Sequence, residues 1–140
     1  MIMIASIILL FLADQKSKNM AIKHLKHKGK KQKGPLVFLY VENKGAVLGF
    51  LKKYPRLLKM LHIFTLLLIT YLFFQEKKAL GLKAMGYILI LGGGLGNLYD
   101  RFKRNYVVDF FSLKFKKIPY FNLADLFVIN GLMMLIISGL

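Results

Sequence analysis

Four long apolar segments divide the chain, and polar, lysine-rich segments separate them. The apolar segments lie at residues 1–13 (MIMIASIILLFLA), 57–74, about 84–99 and about 123–140. A helix that crosses a bilayer needs about 20 residues. We therefore expect the first helix to continue past Asp14 to residue 25, where lysine side chains can extend to the membrane surface. The pattern predicts an all-α membrane protein with four transmembrane helices.

The segment between the first two helices carries a shorter pattern. We expect KGKKQKGP at 28–35 to be a basic linker with turns, and LVFLYV at 36–41 to be a strand that ends in a turn at 43–45. AVLGF at 46–50 is typical of a returning strand, and a short surface helix is expected near 51–58. These elements are too short to span a bilayer, so the pattern predicts a small sheet and a helix on one membrane face.

Composition agrees with a membrane protein and excludes several chemistries. Of the 140 residues, 56% are hydrophobic, and the mean hydropathy of +0.52 is too high for a soluble domain that must keep a polar surface. One domain covering residues 1–140 is expected at this length. The sequence has no cysteine, which excludes disulfides, a thiolate nucleophile and Cys-ligated zinc or iron–sulfur sites.

Basic residues greatly outnumber acidic ones, and their distribution matters for both partner and topology. The chain has 22 Lys and Arg against 6 Asp and Glu. The lysines of the first polar segment have no aromatic residue among them to stack a base, which favours anionic lipid headgroups over nucleic acid. Basic residues number 13 in 16–59, 3 in 77–83 and 6 in 101–117. By the positive-inside rule, the first loop and the third, a mixed loop over 101–122, would be cytoplasmic.

The few acidic residues are more informative than the many basic ones, because a carboxylate in or beside an apolar segment is costly and indicates function. Four of the six acidic residues and several other polar side chains are expected at one membrane face: Asp14, Asn43, Asn97, Asp100, Arg101, Asp109, Asn122 and Asp125. Asn97 and Arg101 are four residues apart, so they share a helix face and can contact one extended substrate.

Asp109 and Asp125 are the candidates for catalysis. Both lie among apolar residues, in YVVDFF and FNLADLF. Two carboxyl groups in a poorly hydrated site resist double ionisation, so one keeps a proton and the other can act as a base. Such a pair can deprotonate a water molecule while protonating a peptide carbonyl, as in aspartic proteolysis. The pair needs no metal ion.

Each of these residues also has a structural interpretation. Asn122 or Asp125 can cap the fourth helix, Asp100 and Arg101 can form an interfacial ion pair, and Asp14 can pair with Lys18 at helical spacing. Further polar and small residues have structural interpretations as well: His62 is expected at a helix boundary, and Gly92 and Gly96 to allow close approach of another helix.

The motifs in order resemble the bacterial lipoprotein signal peptidase family, the type II signal peptidases. The resemblance covers nearly the whole chain: LADQKSK (12–18), VENKGAVLGF (41–50), GGGLGNLYDRF (92–102), YVVDFF (106–111) and FNLADLFVING (121–131). GNxxDR followed by VVDF and FNxAD is the most specific part. GAVLGF departs from the more usual GAAF, which bears on substrate preference.

The resemblance implies a multi-pass aspartic peptidase of the bacterial cytoplasmic membrane, without cofactor, that cuts prolipoprotein signal peptides just before the diacylglyceryl cysteine and is inhibited by globomycin. It implies an extracytoplasmic β-cradle at 36–50, cytoplasmic termini and an active site near the extracytoplasmic surface, an orientation opposite to the one that the lysine count gives. It also assigns residues: Asp109 and Asp125 to catalysis; Asn43, Asn97, Arg101 and Asn122 to substrate binding; Asp14, Lys18, Gly45 and Asp100 to structural support.

Two other functions are compatible with the sequence. A family-like protein that no longer cleaves, and instead binds or matures another membrane peptide, is suggested by the altered turn and the basic first loop. A small channel is suggested only by the intramembrane carboxylates, and the apolar GGGLG segment favours a closed bundle instead.

Overall fold

The computed structural model describes residues 1–46, 50–76, 81–114 and 118–139. It contains four helices, α1 (Ile2–Leu25), α2 (Pro55–Gln75), α3 (Leu82–Lys103) and α4 (Leu123–Ile137), and three strands, β1 (Lys31–Lys33), β2 (Leu36–Asn43) and β3 (Val107–Leu113). The four predicted helices are confirmed as helices, and α1 continues past Asp14 as expected. Within the described ranges, α2 is the one helix long and apolar enough to cross a membrane by length and composition, and α4 is apolar but shorter.

Helix α3 lies at the centre and packs against each of the other three helices. Its consecutive glycines explain how, because successive helical residues point about 100° apart. A Cβ on Gly92 would lie 2.7 Å from the Leu10 Cβ atom of α1, one on Gly93 would lie 2.5 Å from the Ala124 carbonyl oxygen of α4, and one on Gly94 would lie 2.5 Å from the Leu66 Cδ2 atom of α2. The glycines thus admit a different helix on each side, and the expected close approach at Gly92 is confirmed.

The three strands form one antiparallel sheet in the order β1-β2-β3. Strand β2 pairs with β3 in a register that places Val41 opposite Asp109 and Asn43 opposite Val107. The sheet therefore brings the first polar segment against the third, and it carries Asn43 to the neighbourhood of Asp109.

Two predictions about this region were wrong. The third polar segment is not only a loop, because its VVDFFSL sequence forms β3. The expected linker is not only turns either, because it contains β1, and Gly34 adopts a left-handed φ of 59° at the hairpin turn that follows. The predicted returning strand at 46–50 falls largely on residues 47–49, which lie outside the described residues.

The predicted surface helix near 51–58 is also wrong. Residues 51–53 form a turn in which Leu51 has a φ of 58°, a left-handed conformation that no α-helix tolerates. Helix α2 begins directly afterwards with Pro55 in its first turn, where the missing N–H of proline costs nothing.

Polar and apolar residues are distributed unlike those of a soluble protein. Many large apolar side chains on the outer faces of the helices are exposed, including Leu9 on α1, Phe64 and Leu67 on α2, and Ile136 on α4. Several charged and amide side chains are instead buried, among them Asp14, Lys18 and Asp100, which are fully inaccessible. The bundle has an apolar exterior and, at one end, a polar interior.

Candidate active site

Asp109 lies in the middle of β3 and is 3% exposed. Its two carboxylate oxygens accept hydrogen bonds from two asparagines: the Asn43 amide donates to Oδ2 at 2.9 Å, and the Asn122 amide donates to Oδ1 at 2.7 Å. Asn43 reaches Asp109 because it ends β2, beside the start of β3. Residues 66 positions apart in sequence are thus joined by strand pairing.

Asp125 lies in the first turn of α4 and completes its capping box. The Asn122 side chain accepts a hydrogen bond from the Asp125 backbone N–H at 3.0 Å, and Asp125 Oδ2 accepts one from the Asn122 backbone N–H, also at 3.0 Å. The predicted capping role is therefore confirmed. The other oxygen, Oδ1, accepts a hydrogen bond from the Asn97 amide at 2.9 Å, so the cap leaves Asp125 joined to the polar cluster.

The two aspartates belong to one hydrogen-bonded cluster. The Asn122 amide donates both to Asp109 and to the Asn97 side-chain oxygen, 3.1 Å away, and Asn97 in turn donates to Asp125. Burial, together with the negative charge of Asp125, raises the pKa of Asp109 to about 7, and the hydrogen bonds from Asn43 and Asn122 only partly oppose this. Asp109 is therefore able to hold a proton near neutral pH.

Lys18 lies behind this cluster with its ammonium group fully buried. It pairs with Asp14 Oδ2 at 2.7 Å and with Asp100 Oδ2 at 3.3 Å, and it donates to the Asn97 side-chain oxygen at 2.9 Å. Because an ammonium group can only donate, it fixes which end of the Asn97 amide is the oxygen. The NH₂ end of Asn97 is then directed to Asp125.

Asp14 and Asp100 hold the two elements that carry the candidate dyad. Asp14 Oδ1 accepts a hydrogen bond from the Ala124 backbone N–H at 3.0 Å, and Asp100 Oδ2 accepts one from the Val108 backbone N–H at 3.1 Å. Each supporting carboxylate thus holds the residue directly before a candidate catalytic aspartate.

Of the two ion pairs suggested by the sequence, Asp14–Lys18 is present and Asp100–Arg101 is replaced by other pairs. The Asp14–Lys18 pair at helical spacing is confirmed. Asp100 pairs with Lys18 and with Arg104, one turn further along α3, rather than with its neighbour Arg101. Arg104 was missed, although its position four residues after Asp100 is the spacing at which helical ion pairs form.

Arg101 connects α3 to the turn after β2 and to α2. One terminal nitrogen donates to the Gly45 carbonyl oxygen at 3.1 Å, and the other lies 3.2 Å from His62 Nδ1. The Gly45 N–H in turn donates to the Asn43 side-chain oxygen at 3.1 Å. The turn therefore also holds the Asn43 side chain, which donates to Asp109. Arg101 Nε is buried and has no hydrogen-bond partner among the residues described.

A cavity of about 630 Å³ opens in front of these groups. Its polar wall contains Asn43, Asn97, Arg101, Asp109 and Asp125, and its apolar walls come mainly from α2, α4 and the segments beside them: Phe50, Leu51, Leu58, Leu61, Val128, Ile129 and Leu132. Asn122 is fully buried and does not line the cavity, so it contacts Asp109 from behind.

The structure thus brings together every residue that the sequence placed in the site. It also adds His62, which lines the cavity and contacts Arg101. His62 is four residues from both Leu58 and Leu66, the two buried residues of α2, and this spacing is the signal that marks it as inward-facing. In the described parts of the chain, no group of three His, Asp or Glu side chains is arranged to hold a metal ion.

Comparison with known proteins points to one enzyme family. The sequence model of the signal peptidase II family matches residues 6–140. The lipoprotein signal peptidase of Caldicellulosiruptor bescii is 37% identical over 102 residues, 73% of this chain and 65% of that protein. That of Lactobacillus johnsonii is 32% identical over 132 residues, 93% of this chain and 86% of that protein. The match therefore spans less than two thirds of the first relative and most of the second.

Solved structures agree with the sequence comparison. Two structures of bacterial membrane enzymes superimpose with TM-scores of 0.87 and 0.86 at 25% identity. Each match covers 97% of this chain, and 85% and 90% of the two solved chains. The helices and the small sheet are therefore arranged as they are in these two membrane enzymes.

Proposed function

This chain belongs to the signal peptidase II family, and from that membership we propose that it is a lipoprotein signal peptidase. It removes signal peptides from lipid-modified prolipoproteins by cleaving before the diacylglyceryl cysteine. The observation that supports this best is the pair Asp109 and Asp125, which line the same cavity and are joined through Asn122 and Asn97.

The two aspartates divide the acid and base roles in the proposed mechanism. Asp109, whose pKa is raised to about 7, carries the proton, and Asp125 is the base. Asp125 takes a proton from water as the water oxygen attacks the scissile carbonyl carbon, and Asp109 gives its proton to the carbonyl oxygen. Asp125 then protonates the leaving nitrogen, the C–N bond breaks, and the new carboxyl group returns a proton to Asp109.

The walls of the cavity suit an apolar peptide with a polar cleavage site. Asn43, Asn97 and Arg101 line the cavity and supply side-chain donors for the substrate backbone. Leu61 on α2 and Leu132 on α4 supply an apolar surface for the signal peptide and its lipid. Asn122 orients Asp109 instead of contacting substrate, because it is fully buried. The same cavity is the proposed binding site of globomycin.

The membrane arrangement is part of the proposal. All four helices span the bacterial cytoplasmic membrane, with both termini in the cytoplasm and the sheet as a cradle at the extracytoplasmic surface. The exposed apolar side chains of the helices support it, because lipid replaces water around them. Exposed lysines at the end of α1 and on β1, including Lys26, Lys31 and Lys33, are then placed to contact anionic headgroups. Retention of phosphatidylglycerol over phosphatidylcholine by the purified protein would test that contact.

Cleavage of a purified diacylglyceryl prolipoprotein tests the function directly. We expect Asp109→Asn and Asp125→Asn each to reduce the rate by at least about 10³-fold, because each removes a proton-transfer group from the reaction. Glu42→Gln is the matched control: it converts an exposed carboxylate of the sheet to an amide and should cleave normally.

Two results would contradict this proposal. Equal cleavage by the wild type and both aspartate variants would exclude the dyad. Globomycin binding by a wild-type protein that never cleaves would favour the alternative, a family member that binds or matures another membrane peptide.

A further inference from the structure

His62 is the polar member of an otherwise apolar helix face. The buried residues of α2 are Leu58 and Leu66, and His62 lies midway between them at a spacing of four residues. All three side chains therefore lie on the face that α2 packs against α3. A histidine on such a face needs hydrogen-bond partners, because an unpaired polar group in an apolar contact is unfavourable.

The partner of His62 defines the state of its ring. His62 Nδ1 lies 3.2 Å from a terminal nitrogen of Arg101. A guanidinium group has donors only, so Arg101 donates and Nδ1 accepts, and the ring proton is on Nε2. That side of the ring lies against α3: a Cβ on Gly94 would be 3.7 Å from His62 Nε2. The ring therefore lies within van der Waals distance of α3 at Gly94, while its other nitrogen contacts Arg101.

The contact bears on the Arg101 guanidinium, whose orientation decides which of its N–H groups face the cavity. The nitrogen that donates to His62 also lies 3.3 Å from the Asn97 carbonyl oxygen, and the other terminal nitrogen donates to the Gly45 carbonyl oxygen at 3.1 Å. These three acceptors come from α2, α3 and the turn after β2. Among them, the His62 ring is the one side-chain acceptor, and it holds the guanidinium from the α2 side of the cavity.

We propose that His62 is a positioning residue for substrate binding: its Nδ1 accepts a hydrogen bond from Arg101 and fixes the guanidinium in the orientation that receives the substrate backbone. The inference rests on the proposed function of the cavity and adds to it a residue that acts through Arg101. His62 itself contacts neither aspartate of the dyad. Its loss is therefore expected to weaken substrate binding far more than it slows the chemical step.

The test compares two variants of nearly the same shape. In His62→Asn the side-chain oxygen occupies about the position of Nδ1 and can accept from Arg101, whereas His62→Leu has no acceptor. With the full-length protein and a diacylglyceryl prolipoprotein, we expect His62→Leu to raise KM about tenfold and to change kcat less than threefold. We expect His62→Asn to keep KM within about threefold of the wild type. If His62→Leu does not fold, His62→Ala supplies the same comparison.

Two further variants separate a specific contact from a general loosening of α2. Lys59→Met removes another hydrogen bond of α2, the one that Lys59 donates to Asn105 just after α3, at 2.9 Å, and should leave KM unchanged. In a double-mutant cycle, His62→Leu should have little further effect on KM once Arg101 is changed to Gln, because the contact is already lost.

Each alternative outcome overturns the inference. Equal KM values for the wild type and His62→Leu would show that the contact does not serve binding, and equal impairment of the Asn and Leu variants would assign the effect to ring shape. Full additivity with Arg101→Gln would mean that His62 acts without Arg101. Failure of the proposed function would give a different result: the wild type would then cleave no faster than Asp109→Asn, which serves as the blank.

Discussion

At the end of the bundle that carries Asp109 and Asp125, the helices meet through buried polar side chains, whereas at the opposite end they meet through apolar ones. Lys18, Asp14 and Asp100 form the centre of the first end. Tyr87, Ile90 and Leu135 form the centre of the second, with Ile69 and Phe73 packed against them. One end is specified by directional hydrogen bonds and the other by shape.

The difference teaches what each end is for. Burying ions costs free energy that their mutual attraction only partly returns, so an ion network is a poor way to gain stability. It does fix angles and distances, because each donor and acceptor must face its partner. Stability is better supplied by the apolar end, and geometry by the polar end, which holds Val108 and Ala124 beside the dyad.

The largest expected effect comes from removing the one buried cation of the polar centre. Lys18→Met leaves Asp14 and Asp100 buried without the ammonium group that pairs with both. We expect the free energy of unfolding to fall by about 3–5 kcal/mol. Thermal unfolding of the purified protein in detergent measures this. Lys16→Met, at an exposed position of the same helix, is the control and should change nothing. A Lys18→Met protein as stable as the wild type would show that the two ends do not differ as described.

At the apolar end the expected loss is somewhat smaller and leaves the chemistry intact. Leu135→Ala creates a cavity beside Tyr87 and Ile90, for which we expect a loss of about 3 kcal/mol. The folded protein should keep a normal kcat, because the dyad lies at the other end. Exposed Leu132 would be a poor control, since it lines the cavity; Ile137→Ala, on the exposed side of α4, is preferable and should have little effect. A reduced kcat for folded Leu135→Ala would argue that the two ends are coupled.

The pH dependence of stability should also differ between the ends. The pKa of Asp109 is raised from 3.8 to about 7, so the folded state holds more protons than the unfolded state between these values. Wild-type stability therefore falls as pH rises through this window and levels off above about 7. Asp109→Asn cannot ionise, so its stability relative to the wild type should increase by about 2 kcal/mol between pH 5.5 and pH 8.

Melting temperatures of the two proteins across this pH range measure the effect. Leu135→Ala is the control, because it carries no titrating group and its difference from the wild type should not depend on pH. A constant difference between wild type and Asp109→Asn would mean that Asp109 ionises in the folded protein as it does in an unfolded one.

The smallest effect is expected where α3 and α4 cross. A Cβ on Gly131 would lie 2.6 Å from the Gly86 carbonyl oxygen. Gly131→Ala must therefore separate the two helices slightly, at a cost of about 1–2 kcal/mol. Ala5→Val adds comparable bulk at an exposed position of α1 and is the control. If Gly131→Ala were as stable as the wild type, close backbone contact would not be needed there.

The sequence was a good guide to the helices and to the membership of the site. The helices are long apolar segments, and this property is local in sequence. The four acidic site residues were found because acidic residues are rare in this chain, so each one is informative. The asparagines and Arg101 were found because the predicted helices and turn place them at the same membrane face. The capping box of α4 was also foreseeable, because Asn122 and Asp125 have its characteristic spacing of three residues.

The predicted strand at 36–41 is confirmed as part of β2, but its pairing and the finer contacts were not foreseeable, because they depend on residues distant in sequence. Strand β2 pairs with β3 across an intervening helix pair, whereas the local pattern favoured the adjacent segment as its partner. His62 was predicted to be a residue at a helix boundary, and its contact with Arg101 depends on how α2 packs against α3. That Asp100 pairs with Lys18 rather than with Arg101 likewise depends on how α1 packs against α3.

The three glycines at 92–94 have a consequence for how relatives of this chain can vary. Each one is close to a different helix, at Leu10, Ala124 and Leu66 respectively. At Gly94 the close atom is the end of the Leu66 side chain, so a larger residue at 94 could be accommodated by a smaller one at 66. At Gly92 it is the Leu10 Cβ, which only glycine at position 10 would remove, and at Gly93 it is a backbone oxygen, which no substitution removes. Among relatives, position 94 should therefore covary with position 66, and position 93 should stay glycine.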